Sequence, residues 1–156
     1  SVPMVVGTTG WNQHARKVRE LVAERQGALL FGSNFSVGVN LFFRAVHALA
    51  PAMKNGYRAN IVEKHHAQKK DKPSGTALTL QKLLESDSGQ NVEITSIREG
   101  ETVGMHVVVL DAPNDTIVLT HDAKSRLGFA EGAVRAAEWL KGRSGFYEFQ
   151  DVVDQV

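Results

Sequence analysis

Cysteine is absent from the 156 residues. That excludes disulfides, thiolate metal sites and a cysteine nucleophile, and it is compatible with a cytoplasmic setting. Aromatic residues are sparse, and none lies between Tyr57 and Gly100. The lysines in that interval, Lys69, Lys70 and Lys72, therefore have no stacking platform beside them, which weighs against a nucleic-acid-binding module. Charge of one sign is also lacking. A formal net charge of +1 gives no whole-molecule attraction to nucleic acid or to membranes. No apolar run is long enough to span a bilayer, and the start of the chain lacks a basic-then-apolar export signal. No Gly-x-Gly-x-x-Gly turn occurs, so the usual pyrophosphate cradle of a dinucleotide domain is missing. The chain opens Ser1-Val2-Pro3-Met4 without an initiator methionine and runs directly into a strand-like segment.

What remains is an ordinary globular composition, 42% apolar, long enough for one compact domain with a sizeable core. Val2–Val6 and Ala28–Phe31 read as short buried strands. Between them, Ala15, Val18, Leu21 and Val22 share one helical face over Trp11–Gln26, with Gly27 as the stop. This is a strand–helix–strand unit. Leu41, Phe42, Ala45, Val46, Leu49 and Met53 mark a second helix over Gly38–Lys54. Pro51 should loosen its last turns, and Asn55-Gly56 should end it.

Tyr57–Glu63 reads as a strand, and Ser74–Leu84 as a helix carrying Ala77, Leu78, Leu80, Leu83 and Leu84. Asn91–Ile97 is a further strand. Met105–Leu110 and Thr116–His121 form a hairpin across Asp111–Asp115. Together these predict a four-stranded mixed sheet with helices. Val107 and Val109 alternate with Val108 and Leu110, so the third strand is apolar on both faces and an oligomer is expected to cover the outer one. A last helix carries Phe129, Ala133, Val134, Ala137 and Leu140, with Gly142 past its end, and Phe146–Phe149 is a final strand. The fold class is α/β (α+β).

The chain is organised around Glu63-Lys64-His65-His66-Ala67-Gln68-Lys69-Lys70-Asp71-Lys72-Pro73-Ser74-Gly75-Thr76-Ala77. Two adjacent imidazoles, a cluster of ammonium groups and a Ser-Gly-Thr helix start fall in one polar stretch. Free N–H groups at a helix start, with lysines nearby, attract an anion. A histidine beside them can exchange a proton at neutral pH. His65 and His66 cannot face the same way on extended backbone, so their roles should differ. Each piece alone has a plainer reading: a surface histidine, a basic solvated loop, an ordinary helix cap. A two-histidine metal site lacks a third ligand linked by spacing, so no metal is expected.

The motif Glu-x-His-His-x-x-Lys-x-Asp-x-Pro-Ser-Gly-Thr-Ala resembles the signature of the dihydrodipicolinate reductase family. Further matches are Val6-Gly7-Thr8-Thr9-Gly10, Ser33-Asn34-Phe35-Ser36-Val37-Gly38-Val39-Asn40, Arg98-x-Gly100-x-x-x-Gly104-x-His106 and His121-x-Ala123-x-Ser125-Arg126-x-x-Phe129-Ala130-x-Gly132-Ala133-Val134. The resemblance covers nearly the whole chain. It implies an NADPH- or NADH-dependent oxidoreductase of the diaminopimelate route to lysine, cytoplasmic and homotetrameric, acting on a small cyclic dicarboxylate. It implies His65 and Lys69 as catalytic residues, and His66, Gly75 and Thr76 as substrate-binding residues. It places Gly7, Thr8, Thr9, Gly32, Ser33, Asn34 and Phe35 against the cofactor. Residues 1–35 and 128–156 are then a partial Rossmann-type dinucleotide domain lacking its N-terminal Gly-rich half, so that the chain by itself would be poorly active. Residues 36–127 are the substrate-binding and oligomerisation domain. Arg98, Gly100, Gly104 and His106 match the pattern without a chemical role, and Arg126, near Ser125, could reach a carboxylate but reads rather as a structural ion pair. A non-catalytic oligomerisation piece, or an anion- or nucleic-acid-binding module, are the alternatives.

Overall fold

Three short strands of the first compact unit run parallel, so that their carboxyl ends share one edge. The computed structural model describes residues 2–156, apart from the side chains of Asn12 and Asp87. The chain divides into two units, 1–40 with 127–156, and 41–126. In the first unit, β1 (Met4–Val6), β2 (Ala28–Phe31) and β7 (Gly145–Glu148) form a sheet in the order β1-β2-β7. The connecting helices are α1 (Ala15–Glu24) and α4 (Leu127–Leu140), and a four-residue helix α5 (Phe149–Val152) follows β7. The left-handed residue that ends α1 is Gln26, with φ 48°, rather than the expected Gly27.

Leu30, Phe35, Ala136, Leu140, Phe149 and Val152 form the core of this unit. One glycine is dictated by packing. A Cβ on Gly132 would lie 1.7 Å from the Phe35 carbonyl oxygen, so only glycine lets α4 reach the Phe35 turn.

The second unit contains β3 (Arg58–His65), α3 (Gly75–Ser88), β4 (Glu93–Arg98), β5 (Gly104–Asp111) and β6 (Thr116–Ala123). The sheet order is β4-β3-β5-β6, with β3 parallel to β4 and the other pairs antiparallel. This is the expected mixed sheet. Helix α2 (Val37–Leu49) carries the boundary between the units within it, and its pattern continues as a 3-10 helix, Ala50–Asn55. Pro51 sits at the start of that tighter helix, and Gly56, with φ 91°, ends it.

Register decides which side chains share a face. Ile61 on β3 lies opposite Val108 on β5, and both are fully buried. Leu80 and Leu84 of α3 are also fully buried, and burial of each such side chain stabilises by roughly 1.5–3 kcal/mol. Leu78, one residue off that stripe, is exposed. Helix α3 runs a turn beyond its last apolar residue because Gly89, with φ 66°, is its true stop. The opposite sheet face carries Val62, Met105, Val107 and Val109 half-buried, with Val118 58% exposed. Strand β5 is therefore apolar on both faces but buried on only one.

Candidate active site

Strand β3 extends two residues past its expected end because β4 continues to pair with it, with Arg98 opposite His65. The extension matters. Residues two apart on a strand point the same way, so Glu63 and His65 share the inner face, with Glu63 opposite His106 across β5. Lys64 and His66 point elsewhere.

Glu63 is fully buried and is the hub of the site. Its Oε2 is in hydrogen-bond contact with His65 Nδ1 and accepts from an Arg98 guanidinium nitrogen at 2.9 Å. Its Oε1 accepts from the other Arg98 nitrogen at 2.8 Å and from the Ser74 backbone N–H at 3.3 Å. Burial pushes the Glu63 carboxyl up, but Arg98, with hydrogen bonds from Ser96 and His65, outweighs it and holds it at about 2. The carboxylate is ionised at neutral pH.

Burial lowers the pKa of His65, against the upward pull of Glu63, while the charges of Lys69 and Arg98 add to the lowering. The His106 ring lies edge-on to His65, with centroids 5.1 Å apart. Burial, helped by the charge of His65, pushes His106 down to about 4. It therefore packs as an uncharged ring. Its Nε2 meets Ser74 Oγ at 3.0 Å, and that oxygen also accepts from the Ala77 N–H as the cap of α3.

Ser74 thus ties the start of α3 to Glu63 and His106. Gly75 and Thr76 are the first two residues of that helix, and a helix start leaves such N–H groups without an intrahelical acceptor. Among the described residues, Lys69 Nζ is held by both Asp71 oxygens at 2.6 and 2.8 Å. Lys70 and Lys72 are exposed. His66 lines an open cavity of about 410 Å³ with Gln68, Glu101, Val103 and Arg126. An Arg126 guanidinium nitrogen lies 3.2 Å from His66 Nε2, and His66 Nδ1 lies 3.2 Å from Gln68 Oε1. Among the described residues, Arg126 is seen against His66 and not in the ion pair expected from the sequence.

In the first unit, Thr8, Thr9, Gly32 and Ser33 come together at the carboxyl edge of the sheet. They line a cavity of about 310 Å³ with Trp11, Ala15, Phe31 and Glu148. Open α/β sheets bind ligands at this edge. Gly7, Asn34 and Phe35 do not line it. A Cβ on Gly7 would lie 3.5 Å from the Phe35 ring, which is core and packs on Phe149 at 4.9 Å. Asn34 Oδ1 accepts from the Ser36 N–H at 2.9 Å, and its carbonyl accepts from Asn40 Nδ2 at 2.9 Å.

The histidine pair considered for a metal is His65 with His66, but the potential ligand atoms that converge belong to a different set without His66. Glu63, His65 and His106 bring ligand atoms within 4.8 Å of one another. A better physical reason against a metal there is Arg98, whose fork occupies both Glu63 oxygens and sets a fixed positive charge beside them. In the sequence Glu63, Arg98 and His106 carry no visible chemistry, and Ser74 is visible only as part of the helix start. The signal available was the two-residue alternation from Glu63 to His65.

Residues 38–153 match the family model described as dihydrodipicolinate reductase, C-terminus. A protein of Christiangramia forsetii named 4-hydroxy-tetrahydrodipicolinate reductase is 41% identical over the whole chain, which spans 71% of its length. One of the same name from Neisseria meningitidis is 34% identical over 97% of the chain, which spans 64% of its length. The solved structure of a dipicolinate-bound dihydrodipicolinate reductase from Paenisporosarcina superposes with a TM-score of 0.81 at 20% identity, covering 95% of this chain and 63% of that one. That likeness establishes the shared fold. With the family model spanning most of the chain and a 41% identical relative, the protein belongs to the dihydrodipicolinate reductase family.

Proposed function

We propose that this chain supplies the substrate-binding and proton-transfer groups of a 4-hydroxy-tetrahydrodipicolinate reductase. The reaction is reduction of a small cyclic dicarboxylate by hydride, with loss of water, on the diaminopimelate route to lysine in the cytoplasm. The observation that carries the reading is the junction of β3 with α3. There a histidine paired with a buried carboxylate stands beside a helix start tied to the same carboxylate.

His65 handles the proton. Its ring is oriented by Glu63, as a general acid–base histidine is by its partner. Gly75 and Thr76 offer N–H groups to one substrate carboxylate, and Lys69 offers a point charge. Its bridge to Asp71 competes only weakly, because Asp71 is well exposed. His66, held between Gln68 and Arg126, faces the other side of the substrate. The cavity with Thr8, Thr9, Gly32 and Ser33 fits the nicotinamide end of NADPH or NADH. Its volume is at the lower end of the roughly 300–1,000 Å³ of ligand pockets, too small for a whole dinucleotide. The cofactor supplies the hydride when bound. Gly7, Asn34 and Phe35 support that edge from behind through backbone and core contacts. Oligomerisation through the half-buried face of the second sheet, as a homotetramer, completes the reading.

Calorimetry with pyridine-2,6-dicarboxylate tests it. Binding weakened by Lys69→Ala and unchanged by Lys72→Ala supports the assignment. Equal effects of the two would remove Lys69 from the site.

A further inference from the structure

We propose that Glu63, clamped by Arg98, is a positioning residue that fixes His65 as its Nδ1–H tautomer, and that Gly104 keeps Nε2 open as the nitrogen that takes and releases the proton. This rests on the reading of His65 as the acid–base group. It gives chemistry to Arg98 and Gly104, two residues of a motif that otherwise has none.

The tautomer follows from the charge of Glu63. An ionised carboxylate only accepts hydrogen bonds. The ring nitrogen facing it, Nδ1, must therefore carry the proton. The neutral ring is then left with its lone pair on Nε2. Neither Glu63 oxygen is free to turn away. The Arg98 fork holds both, and the Ser74 N–H holds Oε1 as well. Arg98 is itself fixed, donating to the Asp71 carbonyl at 2.7 Å and the Ile97 carbonyl at 2.8 Å. The clamp thus runs from two backbone carbonyls through a guanidinium and a carboxylate to one ring nitrogen.

Gly104 acts at the other end of the ring. A Cβ built there would sit 2.9 Å from His65 Nε2 and 3.2 Å from Cδ2. Any side chain would press on the nitrogen that has to reach substrate. The His106 ring closes the flank edge-on and uncharged. In the reaction, the imidazolium gives the Nε2 proton to the substrate and keeps the electron pair. The ring returns to neutral with Nδ1–H still on Glu63, and water restores the proton. The charged groups bearing on His65 are Glu63, Lys69 and Arg98. Only Glu63 favours its protonated form.

Nitrogen-15 NMR of histidine-labelled protein reads this without turnover. Above its titration midpoint, wild-type His65 should show a protonated Nδ1 and a bare Nε2. Glu63→Gln should move the midpoint to lower pH by roughly one to three units and mix the tautomers. A wild-type Nε2–H tautomer would overturn the proposal, and that result needs no variant to fold. An unchanged midpoint and tautomer in Glu63→Gln would reduce Glu63 to a structural ion pair and equally overturn it. Pyridine-2,6-dicarboxylate added to the same wild-type sample separates the two claims. Failure to bind would count against the functional reading and leave the tautomer result standing.

Discussion

Replacing Arg98 by methionine leaves the Glu63 carboxylate buried with its fork removed. The remaining donors are His65 Nδ1 and the Ser74 N–H, at 3.3 Å, with Ser96 contributing. Breaking a buried ion pair from one side costs roughly 3–5 kcal/mol, whereas removing both charges is far milder. Arg98→Met should therefore destabilise the second unit by a few kcal/mol, and Glu63→Gln/Arg98→Met by clearly less. The pH dependence has a definite sign. Glu63 is held at about 2, below its ordinary 4.5. Its contribution is present above about 4.5 and is lost as pH falls towards 2. The equivalent energy is at most roughly 3 kcal/mol, reduced by any water reaching the sheet end. Trp11 and Trp139 both lie in the first unit, so tryptophan fluorescence would miss the event. Hydrogen exchange at the Ile61 and Val108 amides of the paired strands reads it directly. A single variant no less stable than the double, or wild-type protection flat between pH 5 and 2.5, would refute the reasoning.

Other outcomes follow from the same contacts. Gly132→Ala places a methyl carbon 1.7 Å from the Phe35 carbonyl oxygen; it should destabilise the first unit by about 1–3 kcal/mol or more, measured by Trp139 fluorescence in urea. Lys69→Ala should weaken dicarboxylate binding in calorimetry while Lys72→Ala leaves it unchanged, because Lys72 is exposed. Val118→Glu, on the exposed apolar face of β6, should shift sedimentation towards a smaller species. A parent protein that already runs as a monomer would contradict that assignment.

Periodicity made most of the fold legible. The order and type of the main elements followed from apolar spacing, with Pro51, Gly56 and Gly142 as punctuation. It missed where a stop depends on backbone conformation alone, as at Gln26 and Gly89. The short helix Phe149–Val152 was missed because one turn has no period to detect. The motif marks the stretch that holds the candidate site, but not its hub. Glu63 shows no role in the sequence because its importance comes from partners 11 and 35 residues away, Ser74 and Arg98. Strand register creates that proximity, and one-dimensional spacing does not display it. His106 lies outside the motif in sequence, yet the antiparallel register puts it opposite Glu63.

His65 is the group proposed above to transfer the proton in a reductase reaction. Steady-state kinetics of His65→Ala, in the protein that carries these residues, tests it most directly. The expected result is a kcat lower by about 10²–10⁴-fold with little change in KM, the signature of lost general acid–base catalysis. A kcat near that of the wild type would contradict it.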